Sequence, residues 1–190
     1  MIAAGTAAER GNNVKLIEQN KILGKKLLIT GKGRCNITNA CPVEELFDGI
    51  VTNSRFLYSS FYGFTNEETM EFFSEIGLKM KTERGNRVFP ESDHSSDVIR
   101  VLGDELKRQG VQVHLNTKVQ QIGTKDGAFA CLYLADGTEV QADTCIIATG
   151  GNSYQTTGST GDGYRFAKTL GHTVTSIRPA LVRWRRRNLL

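Results

Sequence analysis

No apolar run in this sequence approaches the roughly 20 residues that a membrane-spanning helix needs. Its first residues also lack the pattern of a secretory signal. These absences lead us to expect a cytoplasmic protein with no membrane partner. The four cysteines, Cys35, Cys41, Cys131 and Cys145, show neither zinc-type pairing nor the density of a secreted disulfide scaffold, so no metal is expected. A basic body is missing too. The net charge of +4 rests on Arg183, Arg185, Arg186 and Arg187, and setting them aside leaves equal numbers of basic and acidic residues. The body is therefore no polyanion-binding surface, and nucleic acid is not an expected partner. Also absent is an opening strand followed by G-x-G-x-x-G, the usual start of a dinucleotide-binding βαβ unit.

What is present is the composition of a globular chain, 39% hydrophobic and 23% charged, in 190 residues. That is enough for one domain with a core. Its most distinctive stretch runs from Gly24 to Asn39, G-K-K-L-L-I-T-G-K-G-R-C-N-I-T-N. Gly24, Gly31 and Gly33 let backbone N–H groups approach a ligand, and Lys25, Lys26, Lys32 and Arg34 favour a polyanion there. A surface loop with ordinary turn glycines is the competing reading.

Taken in order, the alanine-rich Met1 to Gly11 reads as a helix stopped by glycine. Val14 to Glu18 reads as a short buried strand, and an acidic residue at that place in a βαβ unit commonly takes a ribose hydroxyl pair. Solvation alone would also explain Glu18. Helices are expected at Val43 to Phe47 and Arg55 to Phe61. Thr65 and Glu68 match a capping box for a helix through Ile76. Lys79 to Glu83 and Arg87 to Phe89 suggest a hairpin. Ser95 or Ser96 would cap a helix to Gln109 whose stripe is Val98, Val101, Leu102 and Leu106.

Val111 to Leu115 then reads as a strand paired in parallel, since it follows a helix-to-strand step. Val119 to Ile122, Ala128 to Leu134 and Glu139 to Asp143 suggest a meander with a turn at Asp136-Gly137. His114 is expected to pack among apolar neighbours. Thr144 to Gly151, T-C-I-I-A-T-G-G, reads as an apolar strand bringing small side chains to its carboxyl end, where open α/β sheets bind ligands. It leads into G-S-T-G-D-G-Y, Gly158 to Tyr164, and a helix from Asp162 to Leu170.

These stretches, together with N-R-V-F-P-E-S-D at Asn86 to Asp93, resemble the BaiN/YhiN-like FAD-dependent flavoproteins, through to Val182. The resemblance implies an α/β fold, a Rossmann-like doubly wound parallel sheet with a small β-meander, here lacking the usual first strand. Residues 1–182 would be a partial FAD-binding domain of the two-dinucleotide-binding-domain type, followed by a basic tail at 183–190. It implies Glu18 on the adenosine ribose, with Gly31, Gly33, Arg34, Cys35 and Asn36 along the pyrophosphate towards the flavin. Val119 would meet the adenine through its backbone. Thr149, Gly150 and Gly151 would flank the dinucleotide, and Gly161 and Asp162 would lie near the flavin end.

The reaction implied is hydride transfer from NAD(P)H through FAD to a small, unsaturated carbonyl substrate. Relative to that family the chain looks truncated at both ends, so weak or absent FAD binding by the chain alone is expected. No catalytic acid or base is assigned to His94, His114, His172 or Tyr164. Three rival readings remain open. Cys35 and Cys41 could form a redox dithiol. Arg183 to Arg187 with Trp184 could bind nucleic acid. The chain could also be an inactive fragment without flavin.

Overall fold

The computed structural model describes residues 1–178, so the basic tail at 183–190 lies outside the described residues. Helix α1 (Ile2–Glu9) leads into strand β1 (Lys15–Ile17). A 3-10 segment, Leu27–Gly33, carries the glycine-rich stretch, and strand β2 (Thr38–Asn39) follows it. Then come α2 (Val43–Asp48), a 3-10 turn at Ser54–Leu57, α3 (Tyr58–Gly63) and α4 (Asn66–Glu75). Strands β3 (Met80–Glu83) and β4 (Arg87–Pro90) form the expected hairpin. Helix α5 (Ser95–Arg108) and strand β5 (Gln112–His114) come next. The meander is β6 (Val119–Lys125), β7 (Ala128–Leu134) and β8 (Glu139–Gln141), and α6 (Asp162–Thr169) is the last described helix.

The parallel element is the pair β1–β5, with Leu16 opposite Val113. Two antiparallel sheets flank it in the chain, ordered β2-β4-β3 and β6-β7-β8. Helix α5 holds the molecule together, because Val98, Val101, Leu102 and Leu106 are all at most 5% exposed, as their spacing dictates. Val98, Val101 and Leu102 pack with Phe73 of α4, Leu78 and Cys35. Gly5 of α1 sits against Leu106. Thr65 and Glu68 complete the capping box that opens α4, each side chain bonded to the other's backbone N–H.

Three local expectations change. Ser95 is the first residue of α5 and its hydroxyl donates to the Leu28 carbonyl, so it fastens the glycine-rich segment and caps nothing. His114 is exposed, as are Gln112 and Val113 along the whole of β5, so this strand of a two-stranded sheet is not covered on its faces as the expectation required. Thr144 to Gly151 forms no ladder with any described strand, and Ile146 and Ile147 are 65% and 42% exposed. An apolar segment becomes a strand only when a neighbour satisfies its N–H and C=O groups, and no described strand pairs with this one.

Candidate functional site

The carboxyl ends of β1 and β5 converge at one place. The Thr117 N–H donates to the Glu18 carbonyl and the Asn116 N–H to that of Asn20. This brings the start of β6, with Val119, beside Glu18. One Glu18 oxygen, Oε1, accepts from the Asn20 N–H and from its Nδ2, both at 2.7 Å. Its other oxygen accepts no hydrogen bond from the described residues. The carboxylate of this half-buried residue is thus held in orientation through one oxygen.

The loop 149–161 is docked onto this edge. Gln19 Nε2 donates to the Gly158 carbonyl at 2.9 Å. Gly158 has φ +97°, and a Cβ there would lie 2.5 Å from Asn20 Nδ2, so only glycine permits this approach. Thr149, Gly150 and Gly151 lie against the first turn of α6. The Gly161 N–H donates to the Gly151 carbonyl, and a Cβ on Gly163 would lie 2.8 Å from Thr149 Oγ1.

Asp162 accepts from Thr160 and Arg165, and these bonds, that from Thr160 foremost, hold its carboxyl below the usual range. Arg165 also donates to the Gln120 carbonyl, which puts this turn of α6 beside Val119. Glu18, Val119, Thr149 to Gly151, Gly161 and Asp162 therefore form one continuous wall. A shallow groove of about 420 Å³ touches this wall only at Thr149 and Gly150 and extends from there along α6, past Tyr164 to His172.

Gly31, Gly33, Arg34, Cys35 and Asn36 occupy a neighbouring unit, the glycine-rich segment packed on the β3–β4 hairpin. Lys32 and Cys35 have φ of +58° and +59°, which turns the chain sharply. Cys35 is buried in the core cluster, whereas Gly31 and Asn36 are exposed. Arg34 donates to Asp93 and Glu83 and lies over the Phe89 ring, and Lys81 donates to Asp93 at 2.6 Å. The Arg34 hydrogen bond holds the Glu83 carboxyl below its ordinary range. Asp93 is held down first by Lys81 and then by Arg34.

Lys25 donates to Asn20 Oδ1, and Lys26 to the 149–161 loop. Three of the four cations are therefore engaged in fastening the segment. Neither a bound polyanion nor simple solvation, the two readings their spacing offers, includes this fastening role. Glu83, Asp93, Gln19 and Asn20 were not singled out from the sequence. For Glu83 and Asp93 the signal was a carboxylate at each end of the R-V-F-P hairpin.

Cys35 and Cys41 are buried and free. Among the described residues no helix is long and apolar enough to cross a membrane, and no three metal-ligating side chains cluster.

The model of the HI0933-like protein Rossmann domain matches residues 1–178. A 3-dehydro-bile acid delta(4,6)-reductase of Clostridium scindens is 37% identical over 184 residues, covering 95% of this chain and 44% of that protein. A ribosomal RNA dihydrouridine synthase of Escherichia coli is 28% identical, covering 96% of this chain and 44% of its own length. The chain thus spans less than half the length of these curated relatives. Among solved structures, the open conformation of a flavocytochrome c3 fumarate reductase aligns with TM-score 0.59 at 20% identity, covering 88% of this chain and 38% of that one. The Thermovibrio ammonificans THI4 structure aligns with TM-score 0.53 at 11% identity, covering 78% and 52%. Both show likeness of fold.

Proposed function

The chain belongs to the HI0933-like Rossmann-domain family, and from that premise we propose that it forms part of the FAD site of an oxidoreductase. The reaction is hydride transfer from NAD(P)H to a small, unsaturated carbonyl substrate. The observation that carries this reading is the wall described above. Residues from four separate stretches, Glu18, Val119, Thr149 to Gly151 and Gly161 to Asp162, meet at the carboxyl ends of a parallel strand pair. That is the edge where doubly wound folds hold dinucleotides.

The donors and acceptors fit the adenosine half of such a cofactor. Asn20 orients the Glu18 carboxylate through one oxygen, and the other can accept from a ribose hydroxyl. Thr149 and Gly150 are exposed, and Gly150 has no side chain to block a ligand. When bound, the flavin supplies the hydride chemistry, and the chain's own groups bind and orient it. The Clostridium scindens relative is by name a reductase of a 3-dehydro bile acid, which supports an unsaturated carbonyl as substrate.

Equilibrium titration of the purified chain with FAD and with FMN tests the reading. We expect weak but saturable FAD binding, and weaker FMN binding because FMN lacks the adenosine that Glu18 would hold. Equal affinity for the two, or no saturation by FAD, would overturn it.

A further inference from the structure

We propose that Lys26 is a positioning residue that sets the separation of the two glycine-bearing units, and through it the affinity for the dinucleotide; the second clause rests on the functional reading above. Lys26 stands at the entry to the 3-10 segment Leu27–Gly33. Its ammonium crosses to the other unit, donating to the Ser153 carbonyl at 2.5 Å and to Ser159 Oγ at 2.9 Å. Ser159 is only 7% exposed, and its hydroxyl lies 3.6 Å from where a Cβ on Gly150 would be. A single cation therefore links the segment bearing Gly31 to Asn36, through one buried hydroxyl, to the backbone at Gly150.

The Tyr154 ring, 5.5 Å from the ammonium, closes a further side. Among the described residues no carboxylate forms an ion pair with Lys26, so its partners are neutral oxygens and a ring face. Charge-assisted donation to such acceptors is stronger than a neutral bond, and it is directional enough to fix a spacing.

Among the described residues Lys26 supplies the side-chain hydrogen bonds that run directly from the glycine-rich segment to the 149–161 loop. Gln19 and Asn20 also hold this loop, and Asn20 reaches the segment through Lys25, a longer and indirect link. At the far end the segment is held by Arg34 to Glu83 and Asp93. Ser95 ties the entry to α5 through the Leu28 carbonyl and Lys25 ties it to Asn20, while Lys26 joins it directly to the 149–161 loop beside Gly150.

The test compares the wild-type chain with Lys26→Met, which keeps the length and removes the donor, and with Lys26→Arg, which keeps the charge. Amide hydrogen exchange is followed in residues 152–161 and, as an internal reference, in α5, alongside FAD titration. For Lys26→Met we expect exchange in 152–161 to rise about tenfold with α5 unchanged, and FAD affinity to fall about tenfold. Lys26→Arg should recover most of both.

Unchanged exchange in 152–161, or an equal rise in α5, overturns the clamp. Loosened exchange with undiminished FAD affinity overturns its role in setting the site. If the wild-type chain binds no FAD while Lys26→Met still loosens 152–161, the functional reading fails and the clamp stands.

Discussion

The Arg34 guanidinium lies 4.1 Å from the centre of the Phe89 ring, on the same hairpin whose two ends supply its carboxylate partners, Glu83 and Asp93. A planar cation can stack on a ring and still donate in its own plane, which a lysine ammonium cannot do. The glycine-rich segment is thereby fixed to the hairpin in both distance and orientation.

This arrangement carries a pH signature. Glu83 and Asp93 both titrate below their ordinary values of about 4. Groups depressed in the folded state stabilise it above their unfolded pKa, and that contribution is lost as pH falls through the folded values. The melting temperature should therefore drop steeply below about pH 4. Arg34→Met should melt lower at neutral pH and show a shallower acid limb, because Glu83 loses the partner that chiefly holds it down while Lys81 still holds Asp93. Parallel limbs in thermal scans of the two proteins would refute this assignment.

The capping box makes a separate, local prediction. Replacing Thr65 by alanine leaves the Glu68 N–H without its acceptor and should cost about 1 kcal/mol. For a chain of this size that is a fall of about 2–4 °C in melting temperature. Circular dichroism melts would show it.

Leu102 is 5% exposed within the cluster that also holds Cys35, so Leu102→Ala should cost about 2–5 kcal/mol in urea unfolding. Val51, 96% exposed, serves as the contrast, and Val51→Ala should stay within about 0.5 kcal/mol. Similar losses at both positions would contradict the placement of the core.

Gly163 and Thr149 should be coupled. A Cβ at Gly163 meets Thr149 Oγ1 at 2.8 Å, so Gly163→Ala forces the exposed Thr149 side chain to turn and should gain less than alanine's helix propensity alone would give. In a Thr149→Ala background the obstruction is gone and the same change should stabilise more. A double-mutant cycle giving a coupling of about 0.5 kcal/mol or more supports the contact, and additivity argues against it.

Glu18 gives the sharpest functional discrimination. Glu18→Gln weakens a charge-assisted bond to a ribose hydroxyl, so FAD affinity should fall about tenfold while FMN affinity is unchanged. Equal losses for both flavins would place the adenosine elsewhere.

The sequence by itself determined the local elements. The 3.6-residue recurrence of Val98, Val101, Leu102 and Leu106, the Thr65–Glu68 box and the Asp136-Gly137 turn each depend on neighbours along the chain, and each appears where its residues predict. The motif order was legible too, and the family match over residues 1–178 agrees with it.

Only the tertiary structure decided what the charged side chains do. Lys26 reaches a serine 133 residues away and Arg34 an aspartate 59 residues away, and no local pattern encodes such pairings. Nor could the sequence say whether Thr144 to Gly151 becomes a strand. Its apolar side chains invite one, but the ladder hydrogen bonds come from a neighbour, and among the described residues none supplies them.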